Sequence, residues 1–463
     1  MMANRGRSGP GRLLPRLPFT GRELTLVLGC AFAMRMLMLA LVAYNTSGGD
    51  MPWYSNAADN ILEHGTFSDV MTAPYPPTVF RPPLYPALIA LVRAALGRSF
   101  LVLQLVQCLL GTAGVAILGS AVGTVSKRHG RLALWALALS PFDAVYGGAM
   151  LSEALVSFFL VAGISAPVLG RGWSRWVLSG VLLGFAALTR DVYMLLIPGL
   201  ALAASVLLVV DKSWKHRAAV GLLVLAGGVA SIAPWTARNY VVLQQFVPIS
   251  RSSFAHSLYI GTWVRGTSHL APNGDLGEPE DFPSYAWKLP GEREEYTRWS
   301  WRKPNNEVDR DRVYIQMFKR RVGADPAGVA LAYLRRAPYV WVGTTRFDLF
   351  DFLPKLLSRG TKAYLAAKLA LFGLNVAGVA AGMIGVALAL WKRKWRLLWF
   401  GLPVPYTIAI LAPLGVIEPR YTQPVYASLL VMACLTMRYV DVGWRRFRQR
   451  RRVAAGIEAQ RPA

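Results

Sequence analysis

The chain alternates long apolar blocks with shorter polar stretches. A helix needs roughly 20 consecutive apolar residues to cross a bilayer core about 30 Å thick. Ten blocks meet or approach this length, and we therefore predict ten membrane spans. They are Leu24–Tyr44, Phe100–Val122, Leu132–Met150, Leu151–Leu169, Trp176–Thr189, Val192–Val210, Ala218–Trp235, Tyr364–Trp391, Leu397–Leu414 and Tyr421–Val440.

Two polar segments between the spans are long enough to carry function, at residues 45–98 and 237–362. Within the first, apolar residues recur at i, i+4, i+5, i+8 and i+9 from Trp53 to Leu62. This spacing predicts an amphipathic helix that lies in the plane of the membrane interface. A second interfacial helix is predicted at Ala87–Leu96.

The predicted fold class is an all-α polytopic membrane protein with about ten transmembrane helices. Interfacial helices occupy the first outer loop, and a large outer-face segment separates spans seven and eight. The chain then divides into an N-terminal membrane region, an outer segment, C-terminal membrane helices and a basic tail. These four regions are residues 1–236, which include the first outer loop at 45–98, then 237–362, 363–440 and 441–463.

Charge gives the orientation of the predicted spans. The formal net charge is +26, and the basic residues are clustered beside the spans. With ten spans and a cytoplasmic N-terminus, every cluster lies on the cytoplasmic side, where short basic loops normally remain. This distribution explains the charge without a nucleic-acid partner. The clusters are Arg5–Arg22, Lys127–Arg131, Arg171–Arg175, Lys212–Arg217, Lys392–Arg396 and Arg445–Arg452.

Two carboxylates stand near the outer ends of predicted helices. Asp50 follows the first span, where a carboxylate with a raised pKa in a low-dielectric cleft could take a proton from an acceptor hydroxyl. Its place before a helix is equally consistent with an N-cap. Glu153 begins the fourth span, and an ionisable residue there predicts function. A first-turn acid also complements the helix dipole, so this second interpretation stays open.

Three arginines are predicted at the outer face: Arg81, Arg190 and Arg420. The planar guanidinium suits bidentate contact with phosphate. A single arginine at this depth is also typical of an anchor that extends to the lipid headgroups. Arg35 differs because it lies near the middle of the first span, and we expect it to pair inside the bundle, structurally or along a polar path. Asp143 is expected to be a polar residue at the interface.

Several short motifs resemble those of the C-type membrane glycosyltransferases. The resemblance is greatest to glycosyltransferase family 39, which contains lipid A aminoarabinose transferases and protein O-mannosyltransferases. The motifs follow the family's order, although Met51 replaces the second acid of an Asp-Glu pair that some relatives carry. They are Gly49-Asp50-Met51-Pro52-Trp53-Tyr54, Arg81-Pro82-Pro83-Leu84-Tyr85-Pro86, Ser140-Pro141, Leu151-Ser152-Glu153-Ala154-Leu155, Leu188-Thr189-Arg190, Pro234-Trp235-Thr236-Ala237-Arg238-Asn239-Tyr240 and Pro419-Arg420-Tyr421.

The resemblance implies a polyprenyl-phosphate sugar donor and transfer with inversion at the anomeric carbon. It assigns Asp50 and Glu153 to catalysis. Metal dependence varies among such enzymes, so no cofactor is certain and a divalent metal stays open. The residues that we predict to bind substrate are Arg81, Tyr85, Arg190, Arg420 and Tyr421.

We therefore predict a hexosyl- or pentosyltransferase in a bacterial cytoplasmic membrane, with its site facing the periplasm or the cell exterior. Its expected partners are the lipid-linked donor, a glycan, lipid or protein acceptor, and membrane lipids. Two alternatives stay open: a flippase or transporter of lipid-linked sugar, and a glycan polymerase or ligase that uses a diphosphate donor. The position of the candidate acids near outer helix ends favours surface chemistry over transport.

Overall fold

The computed structural model describes residues 18–42, 50–251, 254–262, 289–299, 307–342, 357–358, 360–414 and 419–458, and all regular secondary structure in them is helical. Short 3-10 turns at Val145–Gly148, Asp191–Tyr193 and Pro419–Thr422 and a π-helical turn at Ala204–Leu208 link some of the helices. The α-helices are α1 (Gly21–Leu41), α2 (Met51–His64), α3 (Leu84–Leu96), α4 (Phe100–Val125), α5 (Lys127–Ala138), α6 (Pro141–Ala144), α7 (Glu153–Leu169), α8 (Ser174–Thr189), α9 (Leu196–Ala203), α10 (Trp214–Leu243), α11 (Phe254–Gly261), α12 (Glu292–Arg298), α13 (Glu307–Ala324), α14 (Pro326–Arg336), α15 (Tyr339–Val342), α16 (Lys362–Trp391), α17 (Trp395–Gly401), α18 (Pro403–Leu411) and α19 (Gln423–Glu458).

Within the described residues, six helical segments are long and apolar enough to cross a bilayer on their own. The other four predicted spans coincide with shorter elements: α5 with α6, α7, α8, and α17 with α18. The first and last of these are interrupted at Pro141 and Pro403, because proline favours the first turn of a new helix. The predicted all-α polytopic fold class is confirmed. The six segments are Gly21–Leu41, Phe100–Val125, Asp191–Leu208, Trp214–Leu243, Lys362–Trp391 and Arg420–Gln449.

Helices α8 and α10 approach each other backbone to backbone. A Cβ atom added to Gly180 would lie 2.0 Å from the carbonyl oxygen of Val224, and one added to Gly227 would lie 2.3 Å from that of Val177. Small residues permit this packing where lipid supplies no hydrophobic force between helices. The contact fixes α8, whose C-terminal end carries Arg190.

The interfacial helices predicted in the first outer loop are α2 and α3. Helix α2 is amphipathic and buries Met51, Tyr54 and Ala58 along one side. Helix α3 buries Tyr85 and leaves Leu91 65% exposed. An exposed leucine on a helix at the membrane surface is consistent with contact to acyl chains.

Polar contacts hold the first outer loop against the bundle. The side-chain amide of Asn60 in α2 donates to the carbonyl oxygen of Ser68 at 2.7 Å. Arg238 of α10 donates to the carbonyl oxygen of Thr78 at 3.1 Å. The segment between α2 and α3 is therefore anchored at both ends, and it delivers Arg81 to the outer ends of the bundle helices.

The described part of the outer segment has a small core of its own. Tyr259 of α11, Tyr296 of α12 and Tyr314 of α13 are buried together. Beside them, the Arg321 guanidinium donates to both carboxylate oxygens of Glu292 at 2.5 and 2.6 Å, and both side chains are buried. This bidentate pair joins α12 to α13.

Candidate active site

A cavity opens where several helices end, on the side of the bundle that we predict to face outward, and about 770 Å³ of it is not filled by protein atoms. The polar groups come from six different parts of the chain, and apolar side chains, among them Phe254 of α11 and Leu411 of α18, complete the wall. The cavity contains every predicted site residue except Tyr85. The lining residues are Asp50, Tyr54, Arg81, Pro82, Leu151, Ser152, Glu153, Thr189, Arg190, Asp191, Val192, Phe254, Ser257, Leu411, Leu414, Arg420 and Tyr421.

Asp50 lies between two arginines. Nη2 of Arg81 is 2.5 Å from one carboxylate oxygen, and Nη1 of Arg420 is 3.0 Å from the other. Asp50 occupies the N-cap position of α2, but its side chain makes no capping hydrogen bond. The expected N-cap position is therefore present, whereas the carboxylate itself is used by the cavity.

The pKa of Asp50 differs from the sequence-based expectation of a raised value. Burial alone raises this pKa, but the charges of Arg81 and Arg420 lower it further than burial raises it, and Arg190 adds to the effect. The result is a pKa below the ordinary value. The expectation was wrong because the sequence shows that the aspartate is in a cleft but does not show that two distant arginines face it.

Glu153 and Arg190 form the second charged pair of the cavity. Nη1 of Arg190 is 2.7 Å from Oε1 of Glu153, and the glutamate side chain is only 2% exposed. The Arg190 guanidinium also lies over the ring of Tyr421, 4.5 Å from its centroid. Glu153 is in the first turn of α7, so it complements the helix dipole as well.

One oxygen of that glutamate lacks a partner. Oε2 of Glu153 is buried and has no hydrogen bond among the described residues, and Nε of Arg81 is in the same condition. Leaving a buried polar atom unsatisfied costs free energy, so such atoms in a cavity indicate a use for a bound ligand. Glu153 offers an acceptor and Arg81 a donor.

Tyr54 and Asp191 are among the lining residues that sequence reasoning missed. Tyr54 stands one helical turn after Asp50, a spacing that places both side chains on one face of α2. Asp191 directly follows the Leu188-Thr189-Arg190 motif and accepts a hydrogen bond from the Ser250 hydroxyl at 2.7 Å. Adjacency to the predicted motifs was the available signal for both.

Tyr85 lies beneath the cavity instead of in its wall. It is fully buried, packs edge-on against Tyr54 and donates from its hydroxyl to Oε1 of Gln107 at 2.8 Å. Gln107 in turn donates to the carbonyl oxygen of Ala149, just before α7. Tyr85 thereby supports the floor of the cavity.

Arg35 pairs inside the bundle, as expected, and its partner is Asp143. The two side chains are 2.6 Å apart inside the bundle, so Asp143 is a buried ion-pair member and not the expected interface residue. The pair faces a second chamber of about 500 Å³, which Gln107, Gln423 and Glu153 also line. Glu153 therefore separates the outer cavity from a polar interior chamber.

The charged groups of the outer cavity suit an anion. Asp50 and Glu153 each form an ion pair with an arginine. Among the described residues, no group of three or more histidine, cysteine, aspartate or glutamate side chains could hold a metal ion. Asp50 and Oε1 of Glu153 are held by arginines, which leaves Oε2 of Glu153 open to a ligand.

A family comparison covers the middle of the site. Residues 80–237 match the family model described as dolichyl-phosphate-mannose-protein mannosyltransferase. That range contains Arg81, Glu153 and Arg190, whereas Asp50 and Arg420 lie outside it. No curated protein sequence matches the chain.

Solved structures share the architecture. The oligosaccharyltransferase AglB from Archaeoglobus fulgidus, in complex with an inhibitory peptide and a dolichol-phosphate, matches 93% of this chain with a TM-score of 0.51 and 13% identity. The Archaeoglobus fulgidus oligosaccharyltransferase tethered to an acceptor peptide containing the NVT sequon matches 90% with a TM-score of 0.51 and 13% identity. The chain shares the fold of these oligosaccharyltransferases. The resemblance seen in the motifs is thus confirmed.

The shared fold covers nearly the whole length of this chain, but the chain spans only about half of the oligosaccharyltransferases, 51% and 49% of the two structures. ArnT from Cupriavidus metallidurans bound to undecaprenyl phosphate matches 85% of this chain and 77% of its own at 15% identity, with a TM-score of 0.41.

Proposed function

We propose that the protein transfers a sugar from a polyprenyl-phosphate donor to a hydroxyl group of a glycan, lipid or protein acceptor. The observation that carries this proposal is the cavity in which Asp50 contacts both Arg81 and Arg420 while Glu153 and Arg190 form the adjoining wall. The matching family model, whose description names a dolichyl-phosphate-linked sugar, supports the same donor class. The basic loops support a periplasmic or external site in a bacterial cytoplasmic membrane.

The donor phosphate would contact the arginines. Arg81 and Arg420 present guanidinium groups on either side of Asp50, and planar guanidinium groups bind phosphate oxygens bidentately. Leu411 and Leu414 line the same cavity near Arg420. A lipid phosphate requires this combination of cations with apolar side chains, since the phosphate and the first part of its polyprenyl chain enter together.

The proposed reaction is a single displacement. The acceptor hydroxyl oxygen attacks the anomeric carbon while the bond from that carbon to the phosphate oxygen breaks. The polyprenyl phosphate leaves with the electron pair, and its new negative charge is stabilised by the arginines. The hydroxyl proton passes to Asp50. Attack from the face opposite the phosphate inverts the anomeric configuration.

Donor binding would also prepare Asp50 for this role. In the free site, Arg81 and Arg420 hold the pKa of Asp50 below its ordinary value against the effect of burial. A phosphate that draws these arginines away removes part of that stabilisation, so the pKa of the aspartate rises. Asp50 then becomes a stronger base only when a donor is present, which limits proton transfer to the loaded enzyme.

Glu153, in the wall of the cavity, is suited to bind hydroxyl groups. Its unpartnered Oε2 can accept a hydrogen bond from a sugar or acceptor hydroxyl, while Arg190 fixes its other oxygen. Tyr421 under Arg190 keeps the guanidinium in place through a cation–π contact. Hexosyl and pentosyl transfer are both compatible with this wall.

One observation favours transport as the alternative. The buried Arg35–Asp143 pair and its chamber inside the bundle place charge where a flippase would need it. The two functions differ in their products, because a flippase returns the lipid-linked sugar intact.

The test is a transfer assay in proteoliposomes that contain the purified protein and a polyprenyl-phosphate donor whose sugar carries a label. We expect labelled acceptor and free polyprenyl monophosphate, detected by mass spectrometry. Intact donor that only changes leaflet would establish transport instead. Release of a polyprenyl diphosphate from a diphosphate donor, with no reaction of the monophosphate donor, would establish a polymerase or ligase.

A further inference from the structure

A third cavity lies at the opposite end of the bundle from the candidate active site. Its empty space is about 1360 Å³. Arg438 in its wall follows Arg420 by 18 residues, mostly along α19. At 1.5 Å per residue, the two arginines are about 27 Å apart along the helix axis, close to the thickness of the hydrocarbon core. The cavity therefore opens at the cytoplasmic leaflet.

The polar part of this cytoplasmic cavity is strongly cationic. Arg393, Lys394, Arg396 and Arg438 line it, and Asp211 is the one acid among the lining residues. Arg438 donates to the Ser126 hydroxyl at 3.0 Å. None of the four cations forms an ion pair within the described part of the chain. The four charges are therefore available to an anionic ligand.

The remainder of the wall is apolar. The cavity thus offers positive charge beside a hydrocarbon surface, which is the complement of an anionic amphiphile. The apolar and aromatic lining residues are Val125, Leu207, Leu208, Val210, Trp395, Leu397, Leu435, Tyr439 and Val442.

Arg393 occupies a backbone conformation that is costly for its residue type. Its φ of 50° lies in the left-handed region, where the turn closes α16. The amide of Lys394 donates to the carbonyl oxygen of Ala389 at 2.8 Å, a pattern that usually places glycine at this position. An arginine that occupies this glycine-favouring conformation beside a cationic cavity is consistent with a use for its charge there.

A second local irregularity borders the same cavity. The π-helical turn Ala204–Leu208 contributes Leu207 and Leu208 to the wall. Nε of Arg217 donates to the carbonyl oxygen of Ser205 within this turn, at 3.0 Å. Single π-helical turns are frequent at functional sites.

We propose that the cytoplasmic cavity binds the phosphate headgroup of an anionic phospholipid, with its acyl chains against the apolar wall. Basic pockets between membrane helices on the cytoplasmic side suit such headgroups. The apolar wall favours a lipid over a free phosphate compound, which would leave that surface unused. Loops that only fix orientation require basic residues but require neither this cavity nor an arginine with a left-handed backbone.

The test uses the full-length protein, purified in neutral detergent and depleted of lipid. Melting temperature is measured while phosphatidylglycerol, phosphatidylcholine or glycerol 3-phosphate is added. We expect phosphatidylglycerol alone to raise the melting temperature, because a ligand that binds only the folded state stabilises it. In the triple variant Arg393→Gln, Arg396→Gln, Arg438→Gln, the apparent dissociation constant should rise about fivefold for each cation removed.

The matched control removes three charges from the same face but outside the cavity: Lys215→Gln, Arg446→Gln and Arg448→Gln. This control should keep the full shift. The single variant Arg393→Gly removes one cation and also removes the steric strain of the left-handed backbone conformation. Without lipid, its melting temperature should be no lower than that of the parent. It should bind phosphatidylglycerol more weakly than the parent does.

Three results would overturn the proposal. An equal shift with phosphatidylcholine would show that no anion is required. Equal losses in the control and cavity triple variants would show that general surface charge is responsible. An equal shift with glycerol 3-phosphate would assign the cavity to a soluble phosphate compound.

Discussion

At the scale of single residues, the candidate active site depends on how two carboxylates share three arginines. Asp50 is contacted by Arg81 and Arg420 from distant parts of the chain, whereas Glu153 has Arg190 alone and keeps one oxygen unpartnered. Arg81 and Arg420 can exchange Asp50 for a phosphate when the donor binds. The unpartnered oxygen of Glu153 can accept a hydrogen bond from a hydroxyl group. The two acids are therefore suited to different tasks.

Asp50→Asn should reduce sugar transfer by about 10²–10⁴, the usual effect of removing a general base. Asn cannot take a proton, but it keeps the size of the side chain, and Asp50 makes no capping bond that could be lost. The measurement is turnover of purified enzyme alongside its melting temperature. Glu63→Gln is the matched control, since Glu63 is on the same helix in an exposed pair with Arg98 and should keep full turnover. Turnover near the parent value in Asp50→Asn would remove Asp50 from the role of base.

Arg420→Ala should lower kcat by about 10²–10³, the typical cost of one donor that stabilises developing charge. Arg420→Lys should lose most of the same activity, because lysine keeps the charge but cannot hold Asp50 and a phosphate with one planar group. Kinetics of both variants with a defined donor provide the measurement. Parent-like kcat in the lysine variant would identify Arg420 as a headgroup anchor and make Arg81 the next residue to test.

At the scale of elements, the site is assembled from helix ends. Asp50 precedes α2, Glu153 begins α7, Arg190 follows α8 and Arg420 precedes α19. The N-termini of α7 and α19 add partial positive charge at the cavity, which favours an anionic ligand. The geometry of the site then depends on how closely the helices pack, since a shift of one helix moves one functional group relative to the others.

Gly180→Ala tests this dependence. The added Cβ would meet the carbonyl oxygen of Val224 at 2.0 Å, so α8 and α10 must separate. We expect a loss of about 1–3 kcal/mol in stability, typical of overpacking, together with lower activity because α8 carries Arg190. Gly199→Ala is the control, because an added Cβ there meets nothing within 4 Å. Gly199→Ala should be neutral or slightly stabilising, and unchanged stability in Gly180→Ala would contradict the close packing.

At the scale of the whole molecule, the bundle has two chemically different ends. The outer end combines acids with arginines in one cavity, whereas the cavity at the cytoplasmic end is lined by four cations and a single acid. Together with the basic loops, this asymmetry fixes the expected orientation in the membrane, because lysine and arginine in short loops remain on the cytoplasmic side.

Cysteine labelling from outside intact cells measures that orientation. A cysteine at Ser358, which is exposed before α16, should react without permeabilisation, and one at Lys215, in the first turn of α10, should react only afterwards. The parent for both has its three native cysteines replaced by alanine. The outer position at Asn273 is also expected to react from outside, although it lies beyond the described residues. Labelling of the Lys215 position from outside, with the Ser358 position reacting only after permeabilisation, would show the opposite orientation.

The sequence by itself determined the class of fold, the positions of the spans and most of the charged residues in the cavity wall. It did so because the length of an apolar segment and the basic residues beside it are local properties of the chain. These properties determine directly whether a segment enters the bilayer and how it is oriented. Asp50, Arg81, Glu153, Arg190 and Arg420 were predicted as separate features of separate helices. Their common cavity was implied by the shared outer face and by the resemblance.

Only the tertiary structure determined which side chains contact each other. The pairing of Asp50 with Arg420 joins residues 370 positions apart, and the Arg35–Asp143 pair joins two different spans. Such contacts depend on helix rotation and packing, which glycine contacts such as that of Gly180 set and which no local pattern records. The pKa of Asp50 followed from those contacts, because the charge nearest to a carboxylate, and not its depth alone, determines whether it ionises easily.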